Sequence, residues 1–165
     1  MEFSRHGYTH DMTSPILLRD VTESDLPILF EQQLDPEATA MAAFPSRVRE
    51  AFMAHSAKIK ANVSAIFRVI VFDGQVAGSI FSWEMEGERE VGYWLGKEFW
   101  GKGIATQALA EFLVFVKTRP LFAHVARHNV GSRRVLEKCG FTVIGEDTYT
   151  NPAGVEVEEF ILKLG

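Results

Sequence analysis

The sequence predicts a mixed α/β fold built on a mostly antiparallel sheet, for three reasons. Its β-rich and helical segments follow in the order β-α-α-β-β-β-α-β-α-β-β, with about seven strands and four helices. Asp73-Gly74 separates two β-rich runs, which is a strong signal for a hairpin. A short apolar run, 121–126, lies between two helical segments and predicts one central β-α-β crossover. Because no repeat or linker interrupts this order, we expect residues 15–165 to form one domain.

The first predicted elements are a strand and a short helix. "ILLRDV" (16–21) is the strand, and "LPILFEQQL" (26–34) is the helix, in which Pro27 is tolerated because it lies in the first turn. Three side chains before this helix are suited to capping it: Thr22, Ser24 and Asp25.

Two prolines divide the chain before the second predicted helix. Pro36 and Pro45 are expected to break helical structure. Ser46 is then predicted to cap a helix that extends to about Ala61.

The central segment predicts a three-stranded meander followed by an amphipathic helix. "AIFRVIVFDGQVAGSIFSWEM" (65–85) contains two strands, "EGER" (86–89) is a turn, and "EVGYWLG" (90–96) is the third strand. The helix begins after the "GKG" segment and is predicted to run to about Thr118, before Pro120. Its apolar stripe consists of Ala105, Ala108, Leu109, Phe112, Leu113 and Val116.

The C-terminal segment predicts a buried strand, a helix and a final hairpin. "LFAHVA" (121–126) is nearly continuously apolar, as expected for a strand buried on both faces. A helix begins at Asn129 and is closed by Gly140 in a left-handed cap. The last two strands, 141–150 and 155–164, pair across the "NPAG" turn.

Composition narrows the classes of function. With 47% hydrophobic and 24% charged residues, the 165-residue chain is globular, and no apolar run reaches the roughly 18 residues of a membrane span. A net charge of −5 with scattered basic residues is a poor footprint for nucleic acid. The single Cys139 gives no internal disulfide or cysteine-based metal cluster and fits the cytoplasm. The polar segment 1–14 lacks an export pattern and is expected to be a poorly ordered leader.

The segment "EFWGKGIATQAL" (98–109) predicts a phosphate-binding helix N-terminus. The nucleotide-hydrolase spacing is absent, because Lys102 lies between Gly101 and Gly103 and isoleucine follows. The dinucleotide fingerprint is also absent, because its third glycine is missing. Unpaired N–H groups and the helix dipole still favour an anion here. Alternatively, the glycines only form a turn and Lys102 is solvated.

Three stretches of the chain resemble the GNAT N-acetyltransferases, and within them the RimJ/RimL-like branch. The stretch "EVGYWLGKEFWGKGIATQAL" matches the fourth strand and the pyrophosphate loop, Q/R-x-x-G-x-G/A. "HVARHNVGSRRVLEKCGF" matches N-x-x-S-x-x-V-L-E-K-x-G-F, and "LLRDVTESDLPILFEQQLDPEA" is similar to the first strand and helix of the branch. The likeness covers residues 16–164, with Trp100 in a position where many relatives have glutamine or arginine.

The resemblance implies a GNAT fold whose sheet is splayed between its fourth and fifth strands, with acetyl-CoA as acyl donor and no metal. Loop N–H groups would receive the pyrophosphate, and the exposed edge of the fourth strand would pair with the pantetheine amides. An N–H near Leu95 would stabilise the thioester oxygen. Asn129 could equally be a plain helix N-cap. The implied cofactor-binding residues are Tyr93, Trp94, Leu95, Gly101, Lys102, Gly103, Ile104, Ala105, Thr106, Asn129 and Ser132.

The implied reaction is direct transfer of the acetyl group to a primary amine in a ternary complex. A base must take the proton of the ammonium group, and Glu90 is the first candidate and Glu84 the second. Both could instead be solvated carboxylates of an exposed hairpin end. Ser132 is the best remaining proton donor for the thiolate, because Leu136 occupies the position where many relatives have a tyrosine.

Three further residues have reactive or titratable side chains to which the sequence motifs assign no role. Cys139 is expected to be inert packing rather than an acyl-carrying nucleophile. The spacing of His124 and His128 specifies no function, although both can titrate near neutral pH.

The sequence does not name the amine acceptor. The resemblance implies a protein N-terminus or a small-molecule amine, bound by the region of the first two helices and the final hairpin. Phe44, Phe52 and Trp83 either line this acceptor pocket or belong to the core. Two other functions stay open, a non-catalytic acyl-CoA-binding or regulatory domain and a nucleotide hydrolase. A homodimer would be ordinary for the branch.

Overall fold

The computed structural model describes residues 16–165, so the predicted 1–14 leader lies outside the described residues. The described chain has seven strands in one sheet and five α-helices, which confirms the mixed α/β class. The strands are β1 (Ile16–Asp20), β2 (Ile66–Phe72), β3 (Gln75–Met85), β4 (Glu88–Leu95), β5 (Leu121–Ala126), β6 (Thr142–Thr150) and β7 (Glu156–Leu164). The helices are α1 (Leu26–Gln32), α2 (Pro36–Ala42), α3 (Arg49–Ala61), α4 (Ile104–Phe115) and α5 (Val130–Lys138). None of the helices between residues 16 and 165 has the length and apolar character needed to cross a bilayer.

Two tight turns form the predicted meander of β2, β3 and β4. Asp73 and Gly74 have φ values of 53° and 77°, and Glu86 and Gly87 have φ values of 52° and 82°. Two successive positive φ angles produce a turn whose twist matches that of the flanking strands. The hairpin prediction at Asp73-Gly74 is therefore confirmed.

The sheet is joined weakly at its centre, between β4 and β5. Its strand order is β1-β2-β3-β4-β5-β7-β6, and β4–β5 is its parallel pair. Only Arg89–Leu121 and Glu90–Phe122 are in register across this pair, and we call this junction the seam. Beyond it, residues 91–95 of β4 pair with β3 alone among the described strands. The implied splay between the fourth and fifth strands is therefore confirmed.

Helices cover both faces of the sheet and bury its apolar side chains. The apolar stripe of α4 packs on one face, where Ala108, Leu109 and Phe112 are fully buried. On the other face, Leu26 and Leu29 of α1 pack with Val69 of β2. Burial of each large apolar side chain contributes roughly 1.5–3 kcal/mol, so these two layers hold the sheet between them.

Helix α2 was not predicted, which is why the structure has five helices rather than about four. Pro36 begins this helix instead of breaking it, because the first residue of a helix needs no N–H partner. Asp35 caps it by accepting a hydrogen bond from the Glu37 backbone N–H at 2.8 Å. The chain does break before Pro36, since α1 ends at Gln32, but Pro36 also begins a helix that was not predicted.

Helix α3 begins three residues later than the predicted cap at Ser46. Val48 is the N-cap residue, and its side chain makes no capping hydrogen bond. The carboxamide of Gln33 accepts from the Arg47 N–H at 2.6 Å and donates to the Arg47 carbonyl at 3.0 Å. This two-point contact with α1 satisfies the Arg47 backbone, so the chain does not need to become helical at Ser46.

Helix α4 ends at Phe115 rather than near Thr118. Val116 has extended backbone angles, with φ of −94° and ψ of 103°. The Arg119 guanidinium donates to the carbonyls of Val116 and Thr118, both at 2.9 Å. Arg119 therefore supplies hydrogen bonds that a longer helix would otherwise have provided.

Candidate active site

The glycine loop before α4 has the geometry of an anion-binding helix N-terminus. Gly101 and Gly103 both have φ of +76°, and Gly103 is the N-cap residue, without a side-chain cap bond. The N–H groups of residues 104–106 have no acceptor within the helix, and the helix dipole adds partial positive charge. A Cβ at either glycine would meet no atom within 4 Å, so the loop opens to free space. Lys102 is exposed.

A cavity of about 280 Å³ lies between this loop, the splayed part of β4 and the start of α5. We call it the loop cavity. Seven of the predicted cofactor-binding residues line it: Tyr93, Trp94, Leu95, Gly101, Ala105, Asn129 and Ser132. The other four, Lys102, Gly103, Ile104 and Thr106, are not among its lining residues, and the Ile104 side chain is buried in the core. The structure therefore brings together two segments that the sequence separates by about thirty residues.

Trp100 ties the loop to the end of β4. Its indole Nε1 donates to the Leu95 carbonyl at 3.0 Å, and its side chain also lines the loop cavity. The carbonyl of Leu95 thus has a hydrogen-bond donor although β5 does not extend as far as Leu95. Trp100 thereby holds the position of the loop relative to the splayed strand.

Three polar side chains meet on the α5 side of the loop cavity. Asn129 is the N-cap of α5, and its Oδ1 accepts from the Ser132 backbone N–H at 3.2 Å. The Tyr93 hydroxyl donates to Ser132 Oγ at 3.1 Å, and burial raises the pKa of Tyr93. Leu136 is buried in the core. A phenol therefore lies beside the predicted proton donor. This contact of Tyr93 with Ser132 could not be predicted, because β4 and α5 are distant in the chain.

Cys139 packs against α4 in the way expected of an inert thiol. Its Sγ lies 3.6 Å from the Thr106 carbonyl, and burial raises its pKa. A thiol with a raised pKa carries little thiolate at neutral pH, which disfavours a nucleophilic role.

Glu90 lies at the seam, buried and in contact with a histidine. Its Oε1 is 3.3 Å from Nε2 of His124, and Nδ1 of the same ring is 2.7 Å from Glu159 Oε2. Hydrogen bonds to Glu159 and then to Glu90 raise the pKa of His124 to about 10. The ring is therefore a cation between two carboxylates at neutral pH. The alternative of a solvated carboxylate was wrong for Glu90, whose exposed fraction is 4%.

Strand register explains why the sequence did not reveal His124. Glu90 is opposite Phe122 across the seam, so His124, two residues further along β5, shares its face of the sheet. Glu84 is exposed and opposite Arg89, next to the Trp83–Glu90 pair. Side chains alternate along a strand, so Glu84 points to the other face. The structure does not bring Glu84 to Glu90.

A second cavity, of about 450 Å³, lies between α1, α3 and the face of β2–β4 that carries Glu90. We call it the aromatic cavity, because six aromatic side chains line it: Phe44, Phe52, Phe67, Phe81, Trp83 and Trp94. Trp94 lines both cavities. The final hairpin does not line this cavity, although Asn151 in its turn donates to the Ala43 carbonyl at 3.0 Å.

Comparison with known proteins identifies one family and one curated relative. The model of the acetyltransferase (GNAT) domain matches residues 16–142. The putative ribosomal N-acetyltransferase YdaF of Bacillus subtilis is 30% identical over 93 residues, which are 52% of this chain and 51% of the relative. The chain therefore spans about half the length of the curated relative it matches.

Solved structures share the fold. Mycobacterium smegmatis RimJ in complex with CoA-disulfide superposes with a TM-score of 0.75 at 23% identity, covering 90% of this chain and 81% of RimJ. A phosphinothricin acetyltransferase from Sinorhizobium meliloti in complex with AcCoA gives a TM-score of 0.76 at 19% identity, covering 90% and 86%. The family model covers more than half of the chain, and the protein therefore belongs to the acetyltransferase (GNAT) domain family.

Proposed function

We propose that this protein transfers the acetyl group of acetyl-CoA to a primary amine by direct attack in a ternary complex. The observation that carries the proposal is that two cavities meet at Trp94, on the part of β4 that β5 leaves unpaired. One cavity adjoins the anion-binding loop, and the other lies on the face of the sheet that carries Glu90. A donor and an acceptor bound in these cavities would meet at one strand, as direct transfer requires.

The loop cavity supplies the groups that acetyl-CoA needs. The N–H groups of Gly101 to Thr106 would receive the pyrophosphate, since they combine unpaired donors with the positive end of α4. The unpaired edge at Tyr93, Trp94 and Leu95 would hydrogen-bond the pantetheine amides as an added strand. Asn129, although it caps α5, lines the same cavity and would contact the pantetheine arm.

Glu90 is the proposed general base, and His124 is its positioning residue. An ammonium group cannot attack a thioester until a base takes its proton, directly or through a water molecule. The charged His124 ring holds the buried Glu90 carboxylate at one oxygen and is itself held by Glu159. This arrangement fixes the carboxylate on the same face of the sheet as the aromatic cavity. Glu90 does not line that cavity, so the proton of the amine would reach it through a water molecule. The exposed Glu84 is therefore not proposed as the base.

Ser132 and Tyr93 together are proposed to protonate the leaving thiolate. As the amine forms its C–N bond and the C–S bond breaks, the nitrogen loses its second proton to water and Ser132 Oγ gives its proton to the coenzyme sulfur. The Tyr93 hydroxyl, which donates to Ser132 Oγ, replaces that proton. Burial raises the pKa of Tyr93, so the phenol is protonated at neutral pH, and water returns the proton that it gives to Ser132.

The test is a pair of matched glutamate variants assayed for acetyl transfer to an amine panel. Glu90→Gln should lower kcat/KM roughly 100-fold and remove the pH limb that reports the base, because an amide cannot accept the proton. Glu84→Gln, an exposed carboxylate on the neighbouring strand, should leave both unchanged. Acetyl-CoA affinity, measured by calorimetry, should be the same in all three proteins. An unchanged rate in Glu90→Gln would remove Glu90 from the mechanism.

The second candidate function is a non-catalytic acyl-CoA-binding or regulatory domain. It is favoured by Leu136, which is buried where many relatives have a tyrosine. Acetyl-CoA binding without turnover of any amine would support it over acetyl transfer.

Three expectations from the sequence stay predictions: a single domain over 15–165, a cytoplasmic location and a homodimer. A nucleotide hydrolase would need magnesium-dependent ATP turnover, for which the loop spacing gives no support.

A further inference from the structure

The aromatic cavity is suited to the body of a small apolar molecule. Its volume of about 450 Å³ lies in the range of small-ligand sites. Phe81 and Trp83 of β3 lie with ring centroids 5.5 Å apart, and Phe67 packs edge-on to Phe81. These rings line the wall formed by the sheet. An aromatic or branched apolar group would bury its surface against them.

The ionisable side chains that line this cavity are all basic. They are Arg47, His55 and Lys58, and no aspartate or glutamate lines it among the described residues. The half-buried Arg47 guanidinium lies 5.4 Å from the centre of the Phe44 ring and makes no ion pair within residues 16–165. A partly desolvated guanidinium without a carboxylate is a ready partner for an anion, which it can bind through two hydrogen bonds.

The electrostatics of the basic groups favour an incoming anion. Burial lowers the pKa of Arg47. Burial, and then the charges of Arg47 and Lys58, lower the pKa of His55. The positive charges in this part of the cavity therefore lack compensation, and a bound anion would relieve their mutual repulsion.

Near the end of β4, the side chains that line the aromatic cavity include two uncharged polar groups with an unpaired atom. Trp94 Nε1 and Gln32 Oε1 are buried without a hydrogen-bond partner among the described residues, and both side chains line the cavity. The Gln32 amide is fixed because its Nε2 donates to the Val76 carbonyl at 3.0 Å, so Oε1 is left as an acceptor. Buried polar atoms without partners are costly, and a ligand can supply the missing hydrogen bonds. Both atoms are covered by neighbouring protein atoms, so an amine would donate to Gln32 Oε1 only after a shift of the side chains that cover it.

We infer that the acceptor is a small molecule with a primary amine, an aromatic or branched apolar body, and a carboxylate or similar oxyanion bound by Arg47. This inference rests on the proposed function and names the substrate class of the same site. Polyamines and aminoglycosides are disfavoured, because their further cations would lie beside Arg47 and Lys58. A peptide N-terminus is disfavoured because it has an amide where the inferred acceptor has an anion.

The test compares pairs of acceptors that differ only in this anion: L-phenylalanine and L-leucine, each against its amide. Spermidine is added as a polycationic acceptor. Rates are expressed per unprotonated amine, since the amides have less basic amino groups. We expect kcat/KM to favour the amino acids by roughly 10- to 100-fold, the range for a hydrogen bond to a charged group. Arg47→Met should lower the amino-acid rate to that of the amide. The control is Arg49→Met, which should keep the preference because Arg49 lies over the Phe30 ring, 4.7 Å from its centre, and does not line the cavity.

A binding measurement separates failure of this inference from failure of acetyl transfer. NMR titration of His55 with CoA present should show its pKa rising when L-phenylalanine binds, and staying unchanged with the amide. If that shift occurs without turnover of any amine, the anion site stands and acetyl transfer fails. If the amides or spermidine are acetylated as fast as the amino acids, acetyl transfer stands and the inference is overturned. If the pKa of His55 does not shift and kcat/KM does not favour the amino acids, the inference is also overturned.

Discussion

The two cavities on either side of Trp94 are built in different ways. The loop cavity is lined by α2, the end of β4, the loop 100–105 and the start of α5, and the hydrogen bonds that it is proposed to offer the donor come mainly from the backbone of β4 and the loop. The aromatic cavity is formed by large side chains that come from α1, α3 and three strands, between residues 29 and 94. A backbone-built site offers the same hydrogen bonds whatever the nearby side chains are, whereas a side-chain-built site changes with each substitution. The first suits a constant cofactor, and the second suits a variable acceptor.

The largest expected effect comes from straining the loop. Gly103→Ala should weaken acetyl-CoA binding roughly 5- to 30-fold, because a φ of +76° costs an alanine about 1–2 kcal/mol and relaxation of the loop would redirect the first N–H groups of α4. Calorimetry with acetyl-CoA measures the change, and the acceptor KM should stay the same.

Gly74→Ala is the matched control for this variant. Gly74 has a φ of +77° and, like Gly103, has no atom within 4 Å of an added Cβ, but it lies in the β2–β3 turn. It should lose similar stability and keep full acetyl-CoA affinity. Equal loss of affinity in both variants would show that the loop has no special role.

A smaller effect should follow from removing one ring of the aromatic cavity. Phe44→Ala should raise the acceptor KM roughly tenfold, because apolar contact area is lost, and leave acetyl-CoA affinity unchanged. Phe115→Ala is the control, since Phe115 also stacks under a guanidinium, that of Arg68 at 4.9 Å, yet is 59% exposed on α4. Steady-state kinetics with both substrates measure the two effects. If Phe44→Ala changes the affinity for acetyl-CoA as much as it changes the acceptor KM, the two cavities do not act separately.

The smallest effect is a pH dependence of stability at the seam, which belongs to neither cavity. His124 has a pKa of about 10 in the folded protein, above the value of about 6.5 expected for an unfolded chain. Its contribution is therefore fully present below about pH 6.5 and is lost as the pH rises through about 10. Since a third of the side chain is exposed, we expect only on the order of 1 kcal/mol after solvent screening.

Urea unfolding at pH 6 and pH 10.5, compared between the natural protein and His124→Gln, measures this contribution. The natural protein should lose more stability over that range than the variant does. An identical pH dependence in the two proteins would contradict a charged His124 at the seam.

Most of the loop cavity could be predicted because its signals are local, but its wall on α2, formed by Ala38, Met41 and Ala42, could not. The glycine loop and the segment from Asn129 to Ser132 have fixed spacings, and the helix N-termini place them without reference to distant residues. The hairpin at Asp73-Gly74 was predictable for the same reason. Amphipathic spacing located α4, although its end depended on the side chain of Arg119.

The features of the fold and site that could not be predicted depend on contacts between residues distant in the sequence. His124 faces Glu90 only because two strands are in register at the seam, and no spacing in the sequence encodes that register. The start of α3 was misplaced because Gln33, the C-cap residue of α1, holds the backbone of Arg47. The aromatic cavity contains the rings that were named as candidates, but its basic groups and the unpaired Gln32 oxygen could not be recognised before the layers were assembled.

Trp94 gives the two cavities a common wall, and this has a thermodynamic consequence. A ligand that immobilises the indole from one side changes the free energy of binding on the other side. By linkage, each substrate must then alter the affinity of its partner by the same factor, in whichever order they bind. Cooperativity between donor and acceptor, equal in both directions, is therefore the behaviour to expect of two pockets that share one side chain.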